Sequence, residues 1–171
     1  TFKKALEILG LHYASRTNLK VVALRIGSPF GPLYHSLAAP TSRICHAAAK
    51  GVPTDFTGVR RGAPYEEDDT GAFYVKDCAV AIQLLQMAEK LSHRIYNIGS
   101  ESPTTYGEFV DAVKAAVPDA QVSLQPRRNP RYRPNAYMDI SRIKEDVGYR
   151  PQYDIKRGVE EYIDWLRSPA E

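Results

Sequence analysis

The fold is decided by the stretch Lys20-Val21-Val22-Ala23-Leu24-Arg25-Ile26, a short apolar run rich in β-branched residues. Such a run predicts a strand that is buried on both faces, as the strands of parallel sheets are. Other short runs of this kind are separated by segments in which apolar residues recur every three or four positions. Strands that alternate with helices in this way indicate an α/β protein.

Apolar periodicity and capping signals predict the elements around this strand. The predicted helices cover residues 1–15, 41–50, 77–90, a segment from Thr104 or Thr105 to before Pro118, 141–147 and 155–166. The other predicted strands cover residues 54–57, 73–75, 94–98 and 122–124. Thr41 or Ser42 is expected to cap the second helix, Gly51 to end it, and a capping box to close on Glu108.

Two further expectations concern side chains. Asp77 is expected to cap its helix, with four of the following residues facing inward. The inward set is Ala79, Ile82, Leu85 and Met87. The acidic run at residues 66–69 has no ligand geometry and is expected to be solvated.

Composition bounds the class of protein. Hydrophobic residues make up 43% and charged residues 25% of the 171 positions, with a formal charge of +3, which is typical of a globular domain. No apolar run reaches the ~18 residues of a transmembrane helix, so no membrane association is expected. Cys45 and Cys78 lie in apolar helical patterns, which predicts buried free thiols and a cytoplasmic location. No His/Cys cluster has metal-ligand spacing, so no metal is predicted.

The chain begins with Thr1 rather than Met, inside a helical pattern that has no preceding segment. We therefore expect it to be the later part of a longer protein. No glycine-rich dinucleotide turn of the G-x-G-x-x-G type follows any predicted strand.

Several separated motifs occur in a fixed order along the chain. They are Lys3-x-x-x-Glu7, Leu24-Arg25-Ile-Gly-Ser-Pro-Phe-Gly31-Pro32, Tyr74-Val-Lys-Asp77-Cys-Ala79, Tyr96-Asn-Ile-Gly-Ser100 and Asp139-Ile-Ser-Arg-Ile-Lys-Glu-Asp-Val-Gly148-Tyr-Arg-Pro151. Together they resemble the C-terminal half of an extended short-chain dehydrogenase/reductase, in the NAD-dependent epimerase/dehydratase family of nucleotide-sugar enzymes.

The resemblance implies a fold and a function for residues 1–171. The fold implied is α/β, a remnant of a Rossmann-type parallel sheet interleaved with a smaller α/β substrate-binding lobe, without the N-terminal glycine-rich cofactor half. The function implied is the substrate-binding part of an NAD-dependent nucleotide-sugar epimerase or dehydratase, inactive alone. The parent would use NAD, take a nucleotide-sugar substrate and form a homo-oligomer.

The resemblance also assigns residues near the cofactor. Lys3 stands at the catalytic Lys, whose ammonium hydrogen-bonds the nicotinamide ribose and lowers the pKa of a Tyr one turn earlier. That Tyr would fall two positions before Thr1. The backbone of Ile26, Gly27 and Ser28 would contact the nicotinamide side, and Ser28 replaces a substrate-contacting Asn. The alternative for Lys3 is a solvated side chain with a weak pair to Glu7.

Diphosphate recognition is assigned to arginines. Thr70 stands where the family has a diphosphate-binding Arg, and Arg60, Arg61 or a later cluster is expected to compensate. In that cluster Arg127 and Arg128 are the predicted substrate ligands, because guanidinium groups bind phosphate oxygens in bidentate fashion. The alternatives are a solvated basic loop or a patch that attracts RNA, although one short basic run is weak support for a nucleic-acid partner.

A second function of a different class remains open at this point. The chain is also compatible with a truncated, non-catalytic binding or interaction module. The DNA upstream of Thr1 discriminates between the two: an in-frame Tyr preceded by a Rossmann pattern favours the enzyme, and a nearby start codon favours the module.

Overall fold

A computed structural model describes residues 2–34, 36–59, 62–132 and 138–168. The helices are α1 (Phe2–Arg16), α2 (Pro40–Lys50), α3 (Val75–Met87), α4 (Tyr106–Ala116), α5 (Ser141–Val147) and α6 (Ile155–Arg167). The strands are β1 (Ala23–Ile26), β2 (Ser28–Phe30), β3 (Ala72–Tyr74) and β4 (Ile95–Ile98). This is the mixed α/β architecture that the alternation of patterns predicts.

The strands pair in parallel. β1 pairs with β4 in the register Ala23 to Ile95 through Ile26 to Ile98, and β2 pairs with β3 in the register Ser28 to Ala72 through Phe30 to Tyr74. The prediction that the apolar run at residues 20–26 contains a parallel strand is confirmed. The expected burial on both faces is wrong, since β1 pairs with β4 alone among the described residues, and Arg25 and Ile26 are exposed. Residues 94–98 also form the predicted strand, β4, with its start shifted by one residue.

The chain changes partner between β1 and β2. The Gly27 N–H donates to the carbonyl of Ile98 at 2.9 Å, whereas the next N–H, that of Ser28, donates to the carbonyl of Gly71 at 3.2 Å. The two parallel pairs therefore part at Gly27 and Ser28, and this opens the sheet at the carboxyl end of β1.

Two hydrophobic clusters hold the elements together. The aromatic core is centred on Phe30, which packs edge-on against Tyr74 and Phe109 with ring centroids 5.6 and 5.2 Å apart, and it includes buried residues of α2, α4 and α6. The sheet core lies between β4, α3 and α5 and contains Tyr96 and Ile143. β3 serves both, since Tyr74 faces the aromatic core and Phe73 the sheet core, as strand alternation requires.

Each core contains one free cysteine, Cys45 in the aromatic core and Cys78 in the sheet core. Burial raises the pKa of both thiols. The prediction of buried free thiols is confirmed.

Helix α1 has no buried residue, although its sequence is apolar. It is held against β1 by the Glu7 carboxylate, which accepts two hydrogen bonds from Arg25, and by Gly10, where an added Cβ would lie 3.4 Å from a methyl of Val21. The apolar stripe of α1 therefore faces away from both cores in the described part of the chain.

Several local signals act as predicted. The Thr105 side chain accepts from the Glu108 N–H while the Glu108 carboxylate accepts from the Thr105 N–H, so the capping box is present. Gly51 ends α2 in the left-handed conformation. Helix α5 has the predicted bounds.

Other predictions about helix ends and faces are wrong. Helix α2 begins at Pro40 with no side-chain cap, since Pro needs no N–H partner at a first helical position. Tyr74, not Asp77, precedes α3. On α3 the predicted inward face is correct only for Leu85, because Ala79, Ile82 and Met87 are exposed.

The predicted strands at 54–57 and 122–124 do not form. The two segments run beside each other, and the Thr54 N–H donates to the carbonyl of Gln121 at 2.9 Å. A single backbone hydrogen bond between these segments is not enough to form a β-ladder.

Candidate functional site

The candidate site lies where the parallel pairs part. β1 and β4 end together at Ile26 and Ile98, and each is followed by a glycine, Gly27 and Gly99. Met138 covers both glycines, because a Cβ on Gly27 would lie 3.5 Å from its sulfur and a Cβ on Gly99 would lie 3.7 Å from its Cβ. In open α/β sheets ligands bind at the carboxyl ends of strands where the topology switches.

Ser28 lies at the mouth of this opening and is exposed. Its hydroxyl is 3.7 Å from the position that a Cβ on Gly71 would take, and Gly71 has a left-handed φ of +61°. A side chain at position 71 would therefore crowd the Ser28 hydroxyl. The structure brings Ile26, Gly27 and Ser28 together at one edge, as consecutive residues at the end of β1.

Lys3 lies on α1, one turn before Glu7, and is exposed. The pair between Lys3 and Glu7 that local spacing suggests is replaced by others: Glu7 binds Lys4 at 3.1 Å and Arg25 through two bonds of 2.8 Å. Hydrogen bonds from Arg25, and then from Lys4, hold the pKa of Glu7 at about 2. Helix α1, which corresponds to the catalytic helix of the resembled family, is thus held against β1 by Glu7. Lys3 takes no part in these ion pairs.

The acidic run is exposed at Glu66 and Glu67, as expected, whereas Asp68 and Asp69 are half-buried and accept hydrogen bonds through their side chains. Residues 65–69 and 125–132 form what we call the loop pair, which starts with a parallel bridge between Tyr65 and Gln125. The Glu66 N–H donates to the Gln125 carbonyl at 2.9 Å, and the Glu67 N–H donates to the Arg127 carbonyl at 3.0 Å. Both predicted phosphate ligands, Arg127 and Arg128, therefore lie on a loop that is hydrogen-bonded to acidic residues.

Thr70 has a structural role at the position where the resembled family has an arginine. Its hydroxyl donates to the Thr104 carbonyl at 2.9 Å and accepts from the Ala72 N–H at 3.0 Å. This joins the loop pair to the start of β3, next to Ser28. The predicted compensating residues Arg60 and Arg61 lie outside the described residues.

Other motif residues hold the fold together. The buried Asp77 carboxylate accepts from the N–H groups of Gln152 and Tyr153 at 2.8 and 3.1 Å, and burial raises its pKa. The Tyr96 hydroxyl donates to Asp146 on α5, and burial, followed by that hydrogen bond, raises the pKa of Tyr96 to about 12. These contacts fix the C-terminal segments on the sheet.

Cavities lie beside the site. A cleft of about 750 Å³ runs between the loop after β4, helix α4 and the start of α6, and includes Phe73 and Thr104 in its walls. A smaller cavity of about 160 Å³ is lined by Arg25, Asn97, Asp139 and others. None of the sequence-predicted site residues that the structure describes lines the larger cleft.

Two kinds of feature are absent from the described residues. No group of three or more His, Cys, Asp or Glu side chains there could hold a metal ion. No helix in that part of the chain is long and apolar enough to span a membrane.

Sequence reasoning missed Met138 and the role of the acidic run. Met138 has no local signal, since its contacts with Gly27 and Gly99 join distant parts of the chain. The opposite charges of residues 66–69 and 127–131 were a usable signal for the loop pair.

Comparisons with known proteins test the resemblance. The structure matches the UDP-glucose 4-epimerase of Thermotoga maritima in complex with UDP-glucose, with a TM-score of 0.76, 18% identity, and coverage of 96% of this chain and 51% of that one. It matches the UDP-glucose 4-epimerase of Thermus thermophilus in complex with NAD with a TM-score of 0.74 and 25% identity, covering 97% and 52%.

In sequence, an uncharacterized 37.6 kDa protein of Escherichia coli O111:H- is 25% identical over 96% of this chain and 52% of its own length. No protein-family model matches. The chain spans about half the length of these proteins. Its Rossmann-type α/β fold is therefore that of about half of an NAD-dependent nucleotide-sugar epimerase or dehydratase, and the resemblance seen in the motifs is confirmed.

Proposed function

We propose that this chain is the C-terminal, substrate-binding part of an NAD-dependent nucleotide-sugar epimerase or dehydratase, and that it is inactive alone. The observation that carries the proposal is the change of partner at Gly27 and Ser28, which opens the sheet at the carboxyl end of β1. β1 pairs only with β4 in the described part of the chain, and a two-stranded parallel sheet is too small to stand alone. Both features fit a sheet completed by another half.

The residues present fit only one end of NAD. Ile26, Gly27 and Ser28 lie at the strand end that would face the nicotinamide, but the N–H groups of Gly27 and Ser28 are already bonded to Ile98 and Gly71. The groups of these three residues that remain for binding a ligand are their carbonyl oxygens and the Ser28 hydroxyl. No glycine-rich turn in the sequence is available for the pyrophosphate. We therefore assign to this chain weak or no binding of NAD, and no step of a reaction by itself.

The roles proposed for individual residues are those that the resemblance implies. Lys3 supports the nicotinamide ribose from α1, Ser28 contacts the sugar at the opening, and an arginine of the loop pair binds the diphosphate. Charge-assisted hydrogen bonds to phosphate contribute ~1.5–3 kcal/mol each before ordering costs, so the affinity for UDP should be no better than high micromolar.

Calorimetry and a coupled assay test this function. With millimolar NAD we expect no tight binding, and with UDP-sugars no turnover, because loss of an acid/base group alone costs ~10²–10⁴-fold. An NMR titration with UDP should show weak, saturable shifts around Ser28 and the loop pair. Sub-micromolar NAD affinity, clear turnover, or the absence of UDP shifts would contradict the proposal.

We further propose that the parent is a cytoplasmic homo-oligomer that associates through α1. The free buried thiols suit a reducing compartment. The apolar side chains of α1 are largely exposed, with Phe2 87% and Leu6 67% accessible, and such a stripe favours burial against another surface.

The same exposed stripe supports the second candidate, a non-catalytic interaction module. In that case α1 would bind another protein and the loop pair would bind no nucleotide. Self-association without UDP binding would favour this module over the enzyme part.

A further inference from the structure

We propose that the larger cleft, between the loop after β4, helix α4 and the start of α6, is a second ligand site. Its ligand is a hydroxylated molecule that carries both an ammonium group and an anionic group, the chemistry of an amino sugar phosphate. None of the described residues to which the proposed function gives a role lines this cleft.

The larger cleft has the size and the floor of a small-molecule site. Its volume of about 750 Å³ lies within the ~300–1,000 Å³ that ligand pockets occupy. Ala72 and Phe73, both buried residues of β3, form the apolar floor. Apolar side chains in the walls come from Ala112, Ala115 and Ile155. Such a surface binds the carbon skeleton of a ligand, and polar groups around it then decide which ligand binds.

Most of the carboxylates in the walls already have partners within the fold. Glu101 forms an ion pair with Lys144 at 2.5 Å. Glu108 accepts from the Thr105 N–H in the capping box. Asp154 is the side-chain cap of α6. These contacts are part of the secondary and tertiary structure, so the charge selectivity of the cleft depends on the ionic groups that remain.

Two ionic groups of opposite sign remain, Asp111 on α4 and Lys156 on α6. Both side chains line the larger cleft and are exposed. Neither forms an ion pair or a side-chain hydrogen bond with the other or with a further described residue. A ligand ammonium would pair with the Asp111 carboxylate, and a ligand anion with the Lys156 ammonium. A ligand with a single charge would leave one of these groups unpaired, so a zwitterion is favoured.

Uncharged polar groups line the same cleft. They belong to Ser100, Ser102 and Thr104 of the loop after β4 and to Gln152 before α6. The Ser100 hydroxyl donates to the Ser102 carbonyl at 2.8 Å, whereas the Ser102 hydroxyl has no partner among the described residues. Hydroxyl and amide groups both donate and accept hydrogen bonds, which suits a ligand that carries several hydroxyls.

The larger cleft shares a wall with the candidate site. Thr104 lines the cleft, and its carbonyl accepts from both the N–H and the hydroxyl of Thr70. Ala72 on the floor donates its N–H to the Thr70 hydroxyl at 3.0 Å and is the strand partner of Ser28. A ligand that fixes Thr104 and Ala72 would therefore fix Thr70 and Ser28 as well. This regulatory step rests on the proposed function, whereas binding in the cleft does not.

An NMR titration of the full chain with glucosamine 6-phosphate tests the site. We expect saturable amide shifts at Ser102, Asp111 and Lys156, with a dissociation constant in the millimolar range or below. Glucosamine lacks the anion and glucose 6-phosphate lacks the ammonium, so each should bind about tenfold or more weakly. Lys156→Gln should abolish the preference over glucosamine, and Asp111→Asn the preference over glucose 6-phosphate. These pairings between variant and probe identify which charge meets which side chain.

Matched variants control for effects away from the cleft. Ala115→Leu places a larger side chain in the cleft from an exposed position on α4 and should abolish binding, whereas Ala79→Leu on the exposed face of α3 should not. Lys114→Gln and Asp119→Asn remove exposed charges that do not line the cleft and should leave the affinity for all three probes unchanged. Thermal unfolding confirms that each variant is folded.

The outcomes separate this inference from the proposed function. The site is overturned by the absence of saturable shifts up to about 10 mM glucosamine 6-phosphate, by equal affinity for the three probes, or by unchanged affinity in both Asp111→Asn and Lys156→Gln. If the regulatory step holds, the probe changes UDP affinity severalfold and UDP changes probe affinity by the same factor. Probe binding without UDP binding would overturn the proposed function alone, and binding of both without mutual effect would overturn the regulatory step alone.

Discussion

The aromatic core and helix α1 carry similar apolar patterns but have opposite surroundings. Phe30 is 1% exposed and packs against Tyr74, Phe109 and α6, whereas Phe2 on α1 is 87% exposed. The apolar residues of the aromatic core are covered by other elements of this chain, and those of α1 are not. The difference teaches that an apolar pattern in the sequence does not say whether this chain supplies the surface that covers it.

The aromatic core and α1 therefore differ in the interactions that stabilise them. The aromatic core is filled from α2, α4, α6 and β2–β3, so its stability depends on residues of this chain alone. Helix α1 is held by the ion pairs of Glu7 and a close approach at Gly10. Exposed ion pairs contribute little to stability, so the described residues hold α1 only weakly.

The largest effect is expected in the aromatic core. Phe30→Ala should lower the free energy of unfolding by ~3–5 kcal/mol, because it removes a fully buried ring and leaves a cavity among three aromatic neighbours. The matched change Phe2→Ala should alter the stability of the isolated chain by no more than ~0.5 kcal/mol. Urea denaturation followed by fluorescence measures both. Equal losses for the two variants would remove the distinction between the regions.

The next effect concerns what covers α1. Leu6 and Leu9 are 67% and 52% exposed, and burial of a Leu side chain is worth ~1.5–3 kcal/mol. Leu6→Ala with Leu9→Ala should therefore raise the dissociation constant of self-association about tenfold or more. Sedimentation equilibrium at micromolar concentrations measures this, with Ile82→Ala on the outer face of α3 as control. A monomeric unmodified chain would contradict the prediction.

A smaller effect is expected at the start of α4, which has a cap as well as a buried face. Thr105→Ala removes the acceptor for the Glu108 N–H and should cost ~0.5–2 kcal/mol. Ser102→Ala, in the preceding loop, is the control and should be within ~0.5 kcal/mol of the unmodified chain. Thermal unfolding compares the two, and no difference between them would show that packing alone sets the stability of α4.

The pattern of successes in sequence reasoning follows the range of the interactions. The capping box at Thr105 and the bounds of α5 depend on neighbours within a few residues, and these predictions are confirmed. Asp77 also has the local appearance of a cap, but its carboxylate binds the backbone of Gln152 and Tyr153. No local pattern reveals a partner that is so distant in the chain.

The candidate site shows the same limit. The motif at the end of β1 predicts a strand followed by a loop that starts at Gly27. That loop is wrong at its start, because Ser28–Phe30 forms the strand β2, and the change of partner opens the sheet there. Arg127 and Arg128 look alike in sequence, and only the positions of Glu67 and Tyr132 distinguish them. The contacts that distinguish them join segments about 60 residues apart.

The smallest expected effect distinguishes α1 from the sheet core by how the stability of each responds to acid. The pKa values of Glu7, which ties α1 to β1, and of Asp146, which ties α5 to β4, are both lowered to about 2. Groups whose pKa is lowered by folding contribute stability above their unfolded values, 4.5 and 3.8 here, and lose it as the pH falls toward about 2.

Asp146→Asn should therefore reduce the loss of global stability between pH 5 and pH 3 in urea denaturation, relative to the unmodified chain. Glu7→Gln should leave global stability nearly unchanged and instead loosen α1, seen as faster amide exchange at Gly10. A global loss of stability in Glu7→Gln would show that α1 is integral to the fold.

The placement of the two cysteines has a practical consequence for how unfolding can be followed. Cys45 and Cys78 lie in different cores, both protected from solvent, and the thiolate is the form that reacts with alkylating reagents. Each thiol is therefore unreactive while its core is folded, and its alkylation reports the opening of that core. Pulse alkylation read by peptide mass spectrometry would show whether the halves of the molecule open in one step or in sequence, with no engineered label.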